Sequence, residues 1–389
     1  MRILVLLPDS PAPWSNTAAR YYGPMLKTLD ALGHHVTALA IRRGTKTEEE
    51  AGRYFEGTGI AFTFFDQPPP ELFLLRKARS LWRSGWELSA SQFGRAARQE
   101  AAGDYDVVLA EQISTARAVE GIPRVVCSLD CLRHVDMGAM RGQGMWLRKF
   151  RQWQVRREER STIAKIGRVR ALSERLERLT RGLAPGIRTC VVPLCLDLTL
   201  YEPVSPPDVP TVGLVGSMFW EPSRAAARHF MIHIVPRLRR QAPGTRFLVA
   251  GWKAESYLST LARQAEVELI GDFAHPREIF QRLSILVYAP PVATGMKVKV
   301  LEAMAYGVPV VVNAEGFEGL EADPEPAAKL ANTDDEILEA VLELLGDPAK
   351  RRHAVEAGRS CLARSFSPEV TIPALAAQSA TMVANRTTL

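Results

Sequence analysis

Four short apolar runs in the second half of the chain each end at a glycine or a proline, and this pattern most restricts the fold. The runs are TVGLVG, RFLVAG, VELIG and ILVYAP, which end at Gly216, Gly251, Gly271 and Pro290. Short apolar runs that alternate with helix-length segments predict the strands of a parallel α/β sheet. Glycine or proline at each strand end predicts open loops at the carboxyl edge, where such sheets bind ligands.

The first half of the chain shows the same alternation. Residues 3–7 predict a buried strand, residues 18–32 a helix and residues 36–41 a second strand. Further strands are predicted at residues 60–65, 106–110, 124–128 and 169–172, and further helices at residues 71–100, 145–165 and 174–181. Residues 201–210 are rich in proline and predict a linker. A chain of 389 residues therefore has room for two α/β domains.

Residues 295–306 predict a helix with two lysines, Lys297 and Lys299, in its first turn. Cations are disfavoured there because a helix N-terminus carries partial positive charge and unsatisfied N–H groups. The pattern therefore predicts a bound anion, most often phosphate. Glu302 would lie about 10 Å along the helix axis from Gly295, at a position suited to binding a ribose. The alternative is a surface helix in which Glu302 pairs with Lys299.

Charge and cysteine content narrow the class of protein. The net charge is +6, and residues 1–200 hold 30 Lys and Arg against 21 Asp and Glu. This basic half predicts an anionic partner such as phospholipid or a charged acceptor, and no motif for binding nucleic acid is present. Five cysteines without a CxxC pair predict reduced thiols in a cytoplasmic protein rather than a zinc site. The apolar N-terminus is too short for a signal peptide, and no run of 18 apolar residues predicts a membrane span.

Several segments resemble, in order and spacing, the group 1 retaining glycosyltransferases of the family 4 type. They are VVPLCLDLTLY, GLVGSMFWEPSRAAARHF, PRLRRQAPGTRFLVAGW, the GDF turn and GMKVKVLEAMAYGVPVVVNAEGFEGL. The resemblance covers nearly the whole chain and implies the GT-B fold, an α/β architecture of two facing Rossmann-like domains with an interdomain cleft. It places an acceptor-side domain at residues 1–195, a nucleotide-sugar-binding domain at 196–366, and a terminal helix at 367–389 that crosses back to the first domain.

The resemblance implies transfer of a sugar, with retention, from a nucleoside-diphosphate-sugar to a hydroxyl acceptor on a glycan, a glycolipid or a small natural product. No cofactor or metal is expected, since helix dipoles and basic side chains neutralise the leaving diphosphate. Glu302 matches the family's ribose contact, Lys297 a diphosphate contact and Phe273 the place of the base. The other implied donor-binding residues are Gly216, Ser217, Thr294, Gly295 and Met296.

Two departures from the family pattern leave other functions open. Many members carry two glutamates with seven residues between them, and the first touches the transferred sugar; here Thr294 occupies that position. The Gly-Gly pair usual in the first loop of the N-terminal domain is also absent. A sugar-nucleotide epimerase or phosphorylase of the same fold, or a non-catalytic partner subunit, therefore remains an alternative.

Four residues of the first half are candidates for the acceptor side. Glu111 and Asp130 lie at the carboxyl ends of predicted strands, where charged groups are often functional. Asp130, with His134 behind it, is the predicted catalytic pair. Arg20 and Glu111 are predicted phosphate or acceptor contacts, although Arg20 equally fits a surface arginine.

Residues 71–100 and the basic helix at 145–165 allow two interpretations. Both mix apolar, aromatic and arginine side chains. The resemblance implies a peripheral patch that docks on anionic lipid at the inner membrane face. The alternative is that each is an ordinary amphipathic helix packed on the sheet with its arginines in solvent.

Overall fold

The computed structural model describes residues 1–14, 18–42, 46–67, 86–139, 145–320 and 328–384. Contacts between its residues divide the chain into two compact units. The first comprises Met1–His134, Gly144–Asp197 and Ser367–Leu389, and the second comprises Val135–Gln143 and Leu198–Phe366. The short stretch after His134 therefore groups with the second half of the chain.

Within the described residues, the first unit contains a parallel sheet in the order β3-β2-β1-β4-β5-β6-β7. Its strands are β1 (Arg2–Leu7), β2 (His35–Arg42), β3 (Ala61–Asp66), β4 (Val107–Glu111), β5 (Val125–Leu129), β6 (Arg168–Ala171) and β7 (Arg188–Val191). Ile3 of β1 lies in register between Val36 and Val107, and all three side chains are buried. β-Branched residues favour such central strands because they pack well where both faces of a sheet are covered.

The helices of the first unit connect these strands. They are α1 (Ala19–Ala31), α2 (Lys46–Tyr54), α3 (Trp86–Ala90), α4 (Gln92–Ala101), α5 (Gln112–Ala118), the short α6 (Arg133–Asp136) that leads into the second unit, α7 (Met145–Ile166) and α8 (Glu174–Leu183). Helix α7 packs against α5 and strands β5 and β6.

The second unit contains a parallel sheet in the order β10-β9-β8-β11-β12-β13. Its strands are β8 (Thr211–Val215), β9 (Arg246–Ala250), β10 (Glu268–Ile270), β11 (Ile285–Tyr288), β12 (Val310–Val312) and β13 (Lys329–Leu330). Central strands β8 and β11 are buried along their whole lengths. This burial explains why both read as unbroken apolar runs.

Helices again link the strands of the second unit. They are α9 (Glu221–His229), α10 (Val235–Gln241), α11 (Ala254–Gln264), α12 (Arg277–Phe280), α13 (Val298–Tyr306), α14 (Ala314–Phe317), α15 (Asp334–Gly346) and α16 (Pro348–Ser365). The last helix, α17 (Pro368–Ala384), belongs to the first unit, where it packs against α1 and strands β4 to β7.

Each sheet has one point at which its strand order reverses. The reversal falls between β1 and β4 in the first sheet and between β8 and β11 in the second. The loops that leave two such strands diverge toward opposite faces, so a crevice opens beyond their carboxyl ends. In the second unit this crevice lies beside Gly216 and the loop that precedes α13.

Within the described residues, the predicted strands are present, and so are the helices predicted at 18–32, 145–165 and 174–181, with boundaries that differ by a few residues. Strands β7 and β13 were not predicted. The predicted helix at 71–100 needs a correction in its described part, because Ser91 accepts a hydrogen bond from the Gly94 N–H and begins a new helix. Residues 71–85 lie outside the described residues. No helix in the described ranges is long and apolar enough to cross a membrane.

Candidate functional site

The loops after β8 and β9 are joined by backbone hydrogen bonds at the carboxyl edge of the second sheet. The Gly216 N–H donates to the carbonyl of Ala250 at 2.9 Å, and the Met218 N–H donates to the carbonyl of Trp252 at 2.8 Å. Gly251 has a φ of 141°, and a Cβ there would lie 1.9 Å from the Gly216 carbonyl oxygen. Only glycine therefore allows the two loops to approach this closely.

Lys299 lies in the first turn of α13 and extends toward the Gly216 loop. Its amino group donates to Ser223 Oγ at 2.8 Å and to Tyr288 Oη at 3.1 Å. A Cβ built on Gly216 would lie 3.1 Å from the same nitrogen. Burial lowers the pKa of Lys299 to about 7, an effect that the negative charge of Glu302 partly offsets. The hydrogen bonds of this half-buried amine run to neutral hydroxyl groups.

Lys297 is not in the first turn of the helix, which corrects the prediction. It is the N-cap of α13, with an extended backbone at φ −103° and ψ 93°. Its side chain is 8% exposed and donates to the Gly295 carbonyl, and its nitrogen lies 3.8 Å from an oxygen of Glu318. Burial lowers the pKa of Lys297, and the negative charge of the Glu318 carboxylate offsets part of that lowering. Lys297 thus has a carboxylate nearby, whereas Lys299 has hydroxyl groups.

Glu302 lies one turn further along α13 and is 5% exposed. Its Oε1 lies 3.4 Å from the hydroxyl of Tyr201, whose ring packs edge-on against Tyr306. The hydrogen bonds of Lys299 run to Ser223 and Tyr288, and Glu302 acts on Lys299 through its charge. The alternative of a surface helix is wrong, because most of the side chains of α13 are buried. Helix α13 ends at Gly307, whose φ of 79° is the left-handed conformation that favours glycine after a helix.

The loop before α13 is held by a carboxylate from early in the sequence. Thr294 donates to Asp136 Oδ1 from its N–H at 2.7 Å and from its hydroxyl at 2.9 Å. Gly295 follows with a φ of 75°, and Met296 packs so closely on Gly319 that a Cβ there would lie 2.4 Å from Met296 Cγ. Hydrogen bonds and close packing therefore hold the predicted donor loop, in which Thr294 is buried.

The structure brings most of the predicted donor-binding residues to this one edge of the sheet. Gly216 and Ser217 follow β8, and half-buried Phe273 follows β10. Four partners in the site were not predicted from sequence: Asp136, Ser223, Tyr288 and Glu318. Tyr288 could have been found, because it is the last residue of a predicted strand at the carboxyl edge. Asp136 is 158 positions from Thr294, and no local pattern connects them.

Glu111 belongs to a buried network in the first unit. Tyr21 donates its hydroxyl to Glu111 Oε2, and Arg170 donates to the Tyr21 oxygen at 2.7 Å. The Arg170 guanidinium lies 3.9 Å from Glu111 Oε1 and has no exposed side-chain area. Its other acceptors are Ser128 Oγ and the carbonyls of Val192 and Pro193. Glu111 thus has internal partners at the carboxyl end of β4, and a ligand contact there stays a prediction.

Asp130 and His134 lie near each other in sequence but have different partners. Asp130 accepts a hydrogen bond from Gln112 at 3.0 Å, and burial raises its pKa to about 6. The His134 imidazole lies 2.5 Å from Glu159 Oε2, which also accepts from the His134 N–H. The predicted catalytic role of the two residues stays a prediction.

The remaining predictions for the first unit concern Arg20, the cysteines and metals. Arg20 is 8% exposed and lies over the Trp14 ring at 5.5 Å, so it is not a surface arginine. None of the five cysteines forms a disulfide. In the described ranges, no three His, Cys, Asp or Glu side chains lie close enough together to hold a metal ion.

The part of the chain that holds Gly216 and helix α13 matches a known protein family. Residues 209–347 match the family described as glycosyl transferases group 1. Over 154 residues, 36% of this chain, the sequence is 27% identical to a GDP-mannose-dependent monoacylated alpha-(1-6)-phosphatidylinositol monomannoside mannosyltransferase of Corynebacterium glutamicum. That match spans 40% of the length of the relative.

Solved structures resemble the chain over almost its entire length. Sucrose-phosphate synthase from Thermosynechococcus elongatus has a TM-score of 0.71 at 16% identity, covering 99% of this chain and all of its own. HepE of Anabaena, solved with UDP-glucose, has a TM-score of 0.68 at 14% identity, covering 98% of this chain and all of its own. These two likenesses establish the fold, with its two parallel-sheet α/β domains. Residues 209–347 thus resemble the group 1 glycosyl transferases, and the chain has the GT-B fold.

Proposed function

We propose that this protein transfers a glycosyl group, with retention of configuration, from a nucleoside-diphosphate-sugar to a hydroxyl acceptor. The observation that carries the proposal is the place of Lys299. Its half-buried amino group lies against Gly216 at the point where the strand order of the second sheet reverses. A cation at that position has hydroxyl partners within the protein and would be neutralised by a diphosphate.

The diphosphate would lie between the Gly216 loop and the start of α13. The backbone N–H groups of Ser217 and of the Gly295–Met296 turn are candidate donors, together with the first turn of the helix. Lys299 would contact the phosphates directly. Lys297, with Glu318 nearby, would contribute as a second positive charge at the N-cap. These charges would stabilise the leaving diphosphate without a metal ion.

The nucleoside would extend along α13 away from the phosphates. Glu302 is a buried carboxylate one turn beyond Lys299, and a pair of ribose hydroxyls is its natural ligand. Phe273, after β10, offers a half-buried ring to the base. On the acceptor side we propose Asp130, whose raised pKa suits a group that receives a proton from a hydroxyl.

A Glu302→Ala variant tests the nucleoside part of this proposal. Hydrogen bonds to a charged group contribute about 1.5–3 kcal/mol, so nucleoside diphosphate affinity should fall by roughly 10- to 150-fold. Isothermal titration calorimetry would measure the change, and circular dichroism would show that the variant is folded. Tyr201→Phe is the matched control, because it removes one hydroxyl near Glu302 and keeps the carboxylate. Equal affinity in Glu302→Ala and the wild type would exclude the assigned role.

For the acceptor side, we also propose that the protein binds peripherally to an anionic membrane through helix α7. Trp146 and Trp153 on this helix are 81% and 53% exposed, and Phe150 between them is exposed as well. Residues spaced by four and seven lie on one helix face. Residues 145–157 also carry five Lys and Arg and no Asp or Glu. Exposed aromatic rings among cations match the interface of a bilayer with negative head groups.

Vesicle sedimentation tests this surface. Wild-type protein should sediment with vesicles containing phosphatidylglycerol and stay in the supernatant with pure phosphatidylcholine. The triple variant Trp146→Ala/Phe150→Ala/Trp153→Ala should lose most of that binding. The control is Phe219→Ala/Trp252→Ala, which removes another exposed aromatic pair. Equal loss in both variants, or binding that does not depend on lipid charge, would contradict the assignment to α7.

A further inference from the structure

We infer that Asp136 is the carboxylate that recognises the sugar of the donor. This inference rests on the proposed function and names a residue that the motifs of the second half do not contain. Asp136 lies in the stretch that groups with the second unit, is 3% exposed, and contacts the loop between β11 and α13.

The position of the carboxylate is fixed from several directions. Both donor groups of Thr294 bind one oxygen, Asp136 Oδ1. The residues after Asp136 form a 3₁₀ turn, Met137–Ala139, that packs against α9. The charge of Asp136 also raises the pKa values of Lys297 and Tyr288, so it acts on the interior of the site. A group held this firmly is preorganised for a ligand.

A carboxylate here is unexpected if the site binds a diphosphate alone. Negative charge close to the phosphates repels them and weakens binding. The charge is useful if hydroxyl groups lie beside it, because a carboxylate accepts strong hydrogen bonds from them. In a nucleoside-diphosphate-sugar, the sugar is attached to the second phosphate, so its hydroxyls are the nearest available donors. Thr294 would then serve to orient Asp136.

The inference predicts opposite effects on two ligands. Asp136→Asn keeps an oxygen that can accept from Thr294 and removes the charge. Free UDP or GDP should bind as tightly as before, or more tightly. UDP-glucose or GDP-mannose should lose affinity relative to the matching diphosphate by about tenfold or more, since hydrogen bonds to a charged acceptor are lost.

Calorimetry with the pairs UDP and UDP-glucose, and GDP and GDP-mannose, provides the test. The control is Asp335→Asn, an exposed carboxylate of the same unit that pairs with Arg237. A second variant, Asp136→Ala/Thr294→Glu, removes the carboxylate of Asp136 and places one at position 294. It should recover part of the preference for the sugar-nucleotide over the diphosphate.

Each outcome decides a separate point. If Asp136→Asn leaves the ratio of sugar-nucleotide to diphosphate affinity unchanged, Asp136 does not recognise the sugar. If it weakens both ligands equally, its role is to support the loop, and the inference is wrong while the proposed function stands. If the wild type binds none of these ligands, nor dTDP or ADP, the proposed function fails and the inference fails with it.

Discussion

Arg170→Met should lower the free energy of unfolding by about 3–5 kcal/mol, because it leaves the buried Glu111 carboxylate without its cation. The guanidinium of Arg170 is fully buried, donates to the Tyr21 hydroxyl and to two carbonyls, and lies 3.9 Å from Glu111. Methionine keeps much of the volume of the arginine stem, so the measured loss of stability would come from the lost polar interactions. Urea unfolding followed by circular dichroism would measure it.

Two further variants separate this network from a general effect of removing an arginine. Arg168→Met, on the same strand, removes a half-buried guanidinium that donates to the Met382 carbonyl, and should cost about 1 kcal/mol. Adding Glu111→Gln to Arg170→Met should restore part of the stability, because the remaining buried charge is then removed. If Arg170→Met costs no more than Arg168→Met, the network does not hold the carboxyl end of the first sheet together.

Lys299→Met should weaken nucleoside diphosphate binding by about 2–5 kcal/mol, which corresponds to a loss of roughly 30-fold or more. The variant removes the ammonium beside Gly216 and keeps an apolar stem of similar length. Its melting temperature should equal or exceed that of the wild type, since a half-buried charge whose hydrogen-bond partners are hydroxyl groups is removed. Weak binding with undiminished stability would identify Lys299 as a ligand contact rather than a structural one.

The same lysine predicts a pH dependence. Its pKa in the free protein is about 7, below the ordinary value, so the folded protein carries the neutral amine above that pH while the unfolded chain stays charged. Stability contributed by this group therefore rises between pH 7 and the ordinary lysine pKa. Diphosphate binding favours the charged form of Lys299, so at pH 8 the protein should take up a proton when the ligand binds. The affinity for the diphosphate should therefore fall on the order of tenfold between pH 7 and 9.

Lys299→Arg provides the control for this titration. Arginine stays charged throughout the range, so its diphosphate affinity should change little between pH 7 and 9. Calorimetry at pH 8 in two buffers of different ionisation enthalpy would count the protons taken up on binding. A wild-type affinity with the same pH profile as Lys299→Arg would show that Lys299 does not titrate in the binding step.

The fold of each unit could be predicted because its determinants are local. Buried strands such as β8 and β11 read as apolar runs, and their terminal Gly216 and Pro290 mark the carboxyl edge. The end of α13 at Gly307 was predictable for the same reason, since a left-handed residue after a helix favours glycine. The start of α13 was misplaced by three residues, because Thr294, Gly295 and Met296 form a turn fixed by tertiary contacts.

The interior of the site could be predicted only in part, because its contacts join distant segments. Ser223 and Lys299 are 76 positions apart, and the sequence alone does not distinguish Lys299 from Lys297. Their partners in the structure distinguish the two lysines. Lys297 lies near the buried carboxylate of Glu318, while Lys299 donates hydrogen bonds to two hydroxyl groups. The burial of Arg170 could not be predicted from the sequence either. Arg168 lies on the same short strand in a similar sequence context, yet it is only half-buried.

The central claim is that a nucleoside diphosphate binds at the crevice beside Gly216 and Lys299. A thermal-shift panel of UDP, GDP, dTDP and ADP tests it most directly, because a ligand that binds the folded state raises the melting temperature by mass action. We expect at least one of the four nucleotides to raise the melting temperature of the wild type clearly. The same nucleotide should not raise the melting temperature of Lys299→Met. No shift with any nucleotide, or an equal shift in both proteins, would contradict it.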